Sequence, residues 1–441
     1  MTDQGIHPSK YRELRSTYKY HIDTFIALYQ LKTRNDEDLN SIYKMIKTEL
    51  IESKRFLPKN VIGNVLDIIT YNNRETKSYL KLAKFISDDY HVTRVPNIAD
   101  VSKYLFYKEY GIQLDNFDVY DEKNFENLDI HSENTIYRAI MDNDLEKFIS
   151  FTERDEFDKN QTLDSKLYPY SGKGFSLLEL CCYHGAVDCF KLLRTKFNSE
   201  ITQRCLQLSF LGRNQEIMSE CLKYQTPDDD CMKYAIISHN IDFVTFLMNE
   251  YKLGIDLKIC GNYNNLDSFL VYFDQTNDFN KCFAYSAMFS IPSLCEYFVS
   301  LGANANEKNE NEETALHYAA KSNNKETADL LISHGAKINE QNEFGDTPFH
   351  SAAKSNSNEI AEVLISHGAN INRTNRYRQF PLINAADKNS KETAKVLISH
   401  GANINEKNES GETPLYIAAG GNCKELVEIL ISHGANINEK K

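Results

Sequence analysis

The amino-acid sequence predicts an all-α protein in which a two-helix unit is repeated behind a small helical domain. Five glycines recur every 33 residues in the C-terminal part of the chain, and a pair of alanines recurs with the same period. The N-terminal part lacks this period but carries apolar residues at helical spacing. A fixed period of this length is typical of a helical solenoid. The glycines are Gly302, Gly335, Gly368, Gly401 and Gly434.

The residue types of the repeated segment fit the two helices and the hairpin of such a unit. A threonine caps the first helix through its hydroxyl, and the proline after it occupies the first turn, where no N–H donor is needed. Paired alanines allow close packing, and the glycine ends the second helix at positive φ. We therefore expect Ala385 and Ala386 to be buried. The segments from cap to alanine pair are 314–320, 347–353, 380–386 and 413–419.

These segments resemble the ankyrin repeat, whose hallmarks are Thr-Pro-Leu-His-x-Ala-Ala and Gly-Ala-x-x-Asn. A weaker copy precedes them, with residues 174–185 as its first half and 189–193 in its second helix. The resemblance implies an ankyrin-repeat solenoid from about residue 134 onward. Further degenerate helix pairs are predicted near 135–149, 205–222, 232–248 and 283–299, and segment 253–280 is expected to be irregular.

The N-terminal residues 10–90 predict about four helices without the repeat hallmarks. Pro58 is expected to open the third of them, because proline is accepted in the first helical turn. The residues expected to face inward share helical spacing. They are Leu14, Tyr18, Ile22, Phe25 and Tyr29; Leu39, Ile42, Tyr43, Ile46 and Leu50; Val61, Ile62, Val65, Leu66 and Ile69; and Tyr79, Leu82, Ala83 and Ile86.

We divide the chain into a helical N-terminal domain (1–110), an acidic connector (111–133), degenerate ankyrin-like repeats (134–280) and regular ankyrin repeats (281–441). This arrangement resembles the large trichomonad-type ankyrin families of parasitic protists. The resemblance rests on a Tyr-Asn-Asn-Arg stretch at 71–74, a middle region of unknown function near 200–275, and the Ser-His-Gly-Ala-Asn-Ile-Asn repeats. It implies a fold and a binding role, and it names no partner.

The charge distribution argues against two classes of partner. A net charge of −13 opposes general affinity for nucleic acid or for anionic lipid. Residues 1–114 carry a net charge of +4 and residues 115–165 a net charge of −10, so one stretch holds most of the acidity. Aromatic residues alternate with its carboxylates. The stretch is interpreted either as a solvated connector leading into a weak first repeat or as a docking strip for a basic partner.

The sequence contains no catalytic signature, and we expect neither enzyme activity nor a cofactor. An enzyme hidden in the N-terminal region remains as an alternative. Two clusters raise the question of a metal, and both have a structural explanation. Cys181, Cys182, His184 and Cys189 are interpreted as core residues, because adjacent cysteines suit tetrahedral zinc poorly. The periodic His334, His367, His400 and His433 are interpreted as local partners of helix C-terminal carbonyls.

Neither export nor membrane insertion is expected. No stretch approaches 18 consecutive apolar residues, and the N-terminus lacks a secretory signal pattern. The ten cysteines include no Cys-x-x-Cys pair, and without an export signal they are expected to be reduced thiols. A cytoplasmic protein fits these features best, and a nuclear location is also compatible.

One hairpin departs from the others and is the candidate binding site. This hairpin carries Arg373, Arg376 and Arg378 around Tyr377, whereas the neighbouring tips are acidic. Arg378 takes the place of the turn glycine, a change expected to cost stability if φ stays positive there. We expect Phe344 on the preceding tip to extend the patch if the hairpins stack. Arginine and tyrosine are enriched among the residues that dominate binding energy at interfaces. The hairpin therefore predicts a surface for an acidic protein partner.

The function that these features favour is a non-enzymatic scaffold or adaptor that binds proteins through the concave face and the hairpin tips. A structural protein that self-associates is the alternative. This alternative rests on the last helix, which carries several apolar residues close together, namely Val427, Ile429, Leu430 and Ile431. Partial capping and weak self-association through the C-terminal repeat are therefore expected.

Overall fold

The computed structural model describes residues 10–95, 98–114, 132–169 and 174–438. Contacts divide the chain into two compact units, Met1–Asp274 and Gln275–Lys441. Most of the expected acidic connector, residues 115–131, lies outside the described residues, and so do its aromatic residues Phe117, Tyr120 and Phe125.

The N-terminal part of the first unit is helical, as the spacing of its apolar residues predicts. Pro58 occupies the first turn of its helix. The expected inward-facing residues are buried, except that Ile42 and Tyr43 are half-buried. A π-helical segment, Lys47–Glu52, extends the third helix, and 3-10 turns lie at Ile68–Thr70 and Asn73–Glu75. The helices are α1 Lys10–Thr17, α2 Lys19–Tyr29, α3 Asp36–Ile46, α4 Pro58–Asp67, α5 Thr76–Asp89 and α6 Asp100–Tyr110.

The rest of the first unit consists of helix pairs. The first helices of successive pairs pack on one another in chain order. A two-residue strand β1, Thr162–Leu163, pairs antiparallel with β2, Phe175–Ser176. The pairs are α7 Ile136–Asp142 with α8 Leu145–Thr152, α9 Leu177–His184 with α10 Val187–Phe197, α11 Gln203–Gly212 with α12 Gln215–Cys221, α13 Asp229–Ile237 with α14 Ile241–Tyr251, and α15 Leu257–Asn262 with α16 Leu266–Thr276.

The expectation that segment 253–280 is irregular is wrong. The segment forms the pair α15 and α16, and the side chain of Asp256 caps α15 by accepting from the N–H groups of Lys258 and Ile259. Its core consists of Leu257, Cys260, Leu266 and several further apolar side chains. The pair carries none of the repeat hallmarks, so the helical spacing of its apolar residues was the one feature from which these helices could have been predicted.

The N-terminal helices do not stand apart from the degenerate repeats, because both belong to the first unit. The Tyr11 hydroxyl donates to Asp267 at 2.8 Å, and the Tyr29 ring stacks on His239 with centroids 4.2 Å apart. Further along, Arg74 donates to the carbonyl of His184 at 3.0 Å. Contacts of this kind run from α7 to α16. The division at 110 therefore separates parts of one packed body.

The second unit consists of five helix pairs with the predicted period. First helices pack on first helices and second helices on second helices through successive pairs. Pro348, Pro381 and Pro414 each occupy the first turn of their helices, as predicted. The pairs are α17 Phe279–Ser286 with α18 Pro292–Ser300, α19 Ala315–Ser322 with α20 Lys325–Ser333, α21 Pro348–Lys354 with α22 Asn358–Ser366, α23 Pro381–Asp387 with α24 Lys391–Ser399, and α25 Pro414–Gly420 with α26 Lys424–Ser432.

The expected all-α fold class is thus confirmed, with β1 and β2 as a minor addition. Among the described residues, no helix combines the length and the apolar character needed to cross a membrane.

Two histidines tie neighbouring repeats of the second unit together. Nδ1 of His317 accepts from the N–H of Thr314 at 3.1 Å, and its Nε2 donates to the carbonyl of Asp346, in the next hairpin, at 3.0 Å. His350 repeats this with Thr347 and with the carbonyl of Gln379 at 3.1 Å. Each imidazole therefore satisfies a helix cap and a neighbouring hairpin at once.

A ladder of asparagines forms a second set of bonds between repeats. In four successive repeats, the side-chain oxygen of one asparagine accepts a backbone N–H that lies 31 residues further along the chain. The distances lie between 2.7 and 3.1 Å. The acceptors are Asn306, Asn339, Asn372 and Asn405, and the donors belong to Lys337, Asn370, Asn403 and Asn436.

The burial of the alanine pair predicts the cost of enlarging it. Ala386 is 2% exposed, so Ala386→Leu should overpack the interface between repeats and lower the free energy of unfolding by about 1–3 kcal/mol. Ala419 occupies the same repeat position but is exposed, which makes Ala419→Leu the matched control. Chemical denaturation of both variants tests this prediction. Equal losses of stability in the two variants would contradict the packing of Ala386 between repeats.

The buried histidines predict a loss of stability in acid. Burial lowers the pKa of His317 and His350 to about 4 from an ordinary value of 6.5. Protonation therefore favours the unfolded chain, so the stabilisation is complete above about pH 6.5 and is lost as the pH falls through 4. Each imidazole should contribute about 3 kcal/mol to this pH-dependent part of the free energy of unfolding. The stability gap between the wild-type protein and His350→Gln, measured by denaturation from pH 7 to 4, should narrow. A gap that stays constant would contradict the assignment.

Candidate functional site

The hairpins of the second unit share one backbone frame. In each, an asparagine donates its N–H to the carbonyl four residues later at 2.9–3.0 Å. Its side-chain oxygen accepts a second backbone N–H from inside the turn, at 2.8–3.0 Å. The frame depends on these bonds rather than on the tip residues, so the tips are free to differ. The framing asparagines are Asn309, Asn342, Asn375 and Asn408.

The tips that carry Phe344 and Tyr377 stack directly on each other. The N–H of Arg376 donates to the carbonyl of Phe344 at 3.0 Å. A Cβ atom at Gly345 would lie 2.8 Å from the Arg376 nitrogen, so glycine is required for this close approach. Phe344 and Tyr377 are 46% and 53% exposed, respectively. The structure thus brings the two aromatic rings to the surface of adjacent tips, as expected.

The three arginines differ in what holds them. Arg373 is half-buried, and its Nη2 donates to the side-chain oxygen of Gln341 at 3.1 Å. Arg376 and Arg378 are exposed, and neither has an ion-pair partner among the described residues. We define the arginine patch as Phe344, Arg373, Arg376, Tyr377 and Arg378. It combines one anchored guanidinium with two that remain available to a ligand.

The two carboxylates in the groove beside the arginine patch, those of Glu312 and Glu340, are already engaged by Lys308. A groove of about 400 Å³ beside the tips is lined by Lys308, Glu340, Arg373 and Arg376, among others. Lys308 pairs with Glu340 at 2.9 Å, and the hydrogen bond from Lys308 lowers the pKa of that carboxyl. These carboxylates therefore leave the charge of Arg376 largely uncompensated.

The backbone at Arg378 is strained in the way that the lost glycine predicted. Arg378 has a φ of 51°, in the left-handed region where the equivalent Gly345 and Gly411 have 76° and 77°. Glu312 occupies the same position with a φ of 56°. The arginine hairpin is therefore the second in this unit to place a non-glycine residue there.

Phe380 replaces the capping threonine at a smaller cost than its lost hydroxyl suggests. It forms no side-chain cap hydrogen bond, but its ring is only 1% exposed. A missing cap costs about 1 kcal/mol, whereas removal of a buried phenylalanine ring costs about 3–5 kcal/mol. The substitution therefore exchanges a hydrogen bond for core packing.

The cysteine cluster and three of the four periodic histidines have the structural roles that the sequence favoured. Cys181, Cys182 and Cys189 are fully buried, and desolvation raises the pKa of each thiol. The Nδ1 atoms of His334, His367 and His433 lie 2.7–2.9 Å from carbonyls four residues earlier. His400 instead lies 3.1 Å from Glu362 in the preceding repeat. Within the described part of the chain, no group of three or more His, Cys, Asp or Glu residues is arranged to hold a metal ion.

The strain at Arg378 predicts that glycine will stabilise the second unit. Arg378→Gly should raise the free energy of unfolding by about 0.5–1 kcal/mol, because glycine accepts positive φ without steric cost. Arg378→Ala removes the same charge but keeps a Cβ atom, so it should give no such gain. Denaturant titrations measure the stability of both variants, and the unfolding midpoint of Arg378→Gly should be the higher. Equal midpoints for the two variants would show that the strain is absent.

Sequence comparisons agree with this geometry. A profile of ankyrin repeats matches residues 283–375 and 374–441, and a profile described as a domain of unknown function (DUF3447) matches residues 197–272. No curated protein matches the chain. Ankyrin repeats are generally protein–protein interaction modules. The chain therefore carries an array of ankyrin repeats in its second unit and a domain of unknown function in its first.

Proposed function

We propose that the protein is a non-enzymatic scaffold or adaptor that binds an acidic protein partner through the arginine patch. The observation that carries this proposal is the pair of exposed arginines, Arg376 and Arg378, which lack ion-pair partners among the described residues. They flank Tyr377 on a tip that stacks against Phe344. Exposed aromatic rings beside arginines match the composition of binding hot spots.

The chemistry of the patch favours carboxylates on the partner. Guanidinium groups bind carboxylates in a bidentate geometry, and they stack on aromatic rings better than ammonium groups do. Arg373 is held in place by Gln341, so less side-chain entropy is lost when it binds. The protein as a whole has a net charge of −13, so a cationic patch on it selects acidic partners locally rather than polyanions in general.

Self-association through the last repeat is a second candidate, favoured by its exposed apolar side chains. Tyr416, Ile431 and Ile437 are 47%, 46% and 68% exposed, respectively. Sedimentation velocity over a range of protein concentrations would reveal an assembly of this kind. Ile431→Glu should then abolish it.

We also propose that the protein acts in a reducing compartment, which is the cytoplasm or, as the alternative, the nucleus. The ten cysteines are all unpaired and buried, which suits a protein that keeps its thiols reduced.

The test is a quantitative crosslinking pull-down with the full chain. The double variant Arg376→Ala with Tyr377→Ala should lose its specific partners while its thermal melting stays unchanged. The affinity of a partner, once it is purified, should fall at least about tenfold, as expected for hot-spot residues. Binding should also weaken as salt is raised.

The next hairpin supplies the matched control. Glu409 and Ser410 occupy the positions equivalent to Arg376 and Tyr377, so Glu409→Ala with Ser410→Ala changes the same backbone sites without removing the patch. The control variant should retain all partners. A partner that binds the patch variant within threefold of the wild-type protein would contradict the proposal.

A further inference from the structure

A small polar pocket lies in the first unit where the N-terminal helices meet the degenerate repeats. Its volume is about 160 Å³. Lys32, Arg74 and Glu75 line it from the N-terminal side, and Gly185, Arg213 and Asn214 from the repeats. The volume of the pocket is well below the roughly 300 Å³ of sites that bind drug-sized ligands, so the pocket suits a small chemical group.

Three cationic side chains share this pocket. The guanidinium of Arg213 and the ammonium of Lys32 have neither a hydrogen-bond nor an ion-pair partner in the described part of the chain. Arg74 donates through Nη2 to the carbonyls of Met141 and His184, while its buried Nε lacks a partner. The backbone thus holds Arg74 in place, while the described residues offer the other two cations no group to bind.

The acidic groups nearby do not balance these charges. Glu75 is the one carboxylate in the lining, and Arg34 pairs with it at 3.6 Å from outside the pocket. The positive charge of Arg213 is the largest cause that lowers the pKa of Lys32, and burial lowers the pKa of Arg74 and Arg213. Like charges are therefore held together at a cost in stability.

Arg213 lies at a turn position where every helix pair of the first unit has a positive φ. Arg213 has a φ of 54° in the turn between α11 and α12. The equivalent turns of the first two pairs contain Asn143 and Gly185, residue types that tolerate this conformation. An arginine there is strained, and its guanidinium lines the pocket. The equivalent turn of the next pair holds His239 with a φ of 50°, and its ring stacks on Tyr29 of the N-terminal helices.

We propose that this pocket binds a phosphate group, either as inorganic phosphate or as part of a small soluble phosphate ester. A phosphate dianion offers several acceptor oxygens to converging arginine and lysine donors, and guanidinium groups match its geometry. The bound dianion would neutralise the repulsion between Lys32, Arg74 and Arg213. Because the lining comes from both sides, phosphate would also stabilise the packing of the N-terminal helices on the repeats.

The first experiment is calorimetric titration of the full chain with inorganic phosphate, glycerol phosphate and acetate at constant ionic strength. Saturable binding of phosphate is expected, with a rise in melting temperature that chloride does not produce. Tighter binding of the ester would identify a phosphorylated metabolite as the source, and tighter binding of the free ion would identify inorganic phosphate. No saturable binding of either phosphate, or acetate binding as tight, would overturn the proposal.

The second experiment uses a variant that removes the charge and relieves the strain together. Arg213→Asn should weaken phosphate binding by about tenfold or more, as the loss of a charge-assisted hydrogen bond implies. Without phosphate it should melt at the same or a higher temperature than the wild-type protein. This result separates a ligand site from a purely structural arginine, whose loss would lower the melting temperature.

Lys54 supplies the matched control. It is exposed, lies outside the pocket lining and has a φ of 58°, so Lys54→Asn makes a comparable change elsewhere in the same unit. This control should bind phosphate as the wild-type protein does. Phosphate binding by Arg213→Asn within threefold of the control would overturn the proposal. Lys32→Gln, a substitution at an exposed residue, provides a second variant that should weaken binding while the fold remains intact.

Discussion

The hydrogen bonds of the periodic asparagines are the constraint on which the second unit depends. A hairpin leaves backbone N–H groups that cannot all pair within the turn, and a buried N–H without a partner costs about 1–3 kcal/mol. One asparagine in each repeat frames its own hairpin, and another accepts from the next repeat. Because side chains at fixed positions meet this requirement, the exposed side chains at the tips, such as those of Phe344 and Tyr377, can vary without loss of these bonds. The arginine patch is therefore compatible with an undisturbed stack.

The first unit uses similar helix pairs, but three of its five turns between paired helices replace the asparagine, with Gly185, Arg213 and His239. Arg213 and His239 both have positive φ, at positions where asparagine serves in the regular repeats. His239 stacks against Tyr29, and Arg213 lines the pocket beside Lys32. These side chains meet the N-terminal helices, which explains why the turns depart from the asparagine pattern. The divergence of these repeats is thus partly a consequence of what packs on them.

Local patterns were sufficient to predict the elements and part of the site. The 33-residue period located the helices of the second unit, and helical spacing located buried residues such as Phe25 and Tyr79. The exposure of Phe344 and Tyr377 followed from the position of the hairpin tips. The pairing of Tyr11 with Asp267, the support of Arg373 by Gln341 and the pocket at Arg213 were not predictable. These features join residues far apart in the chain, and no periodicity in one segment specifies its distant neighbour.

The asparagine ladder also determines how the array can change in length. Each bond has its acceptor in one repeat and its donor in the next, and the donor is a backbone N–H that any residue except proline supplies. Removal or duplication of one whole period would therefore join an intact acceptor to an equivalent donor. An insertion of a few residues would leave both without partners. In the second unit, a change of length by whole periods therefore preserves the ladder, and hydrogen bonding adds to the apolar core in fixing the register.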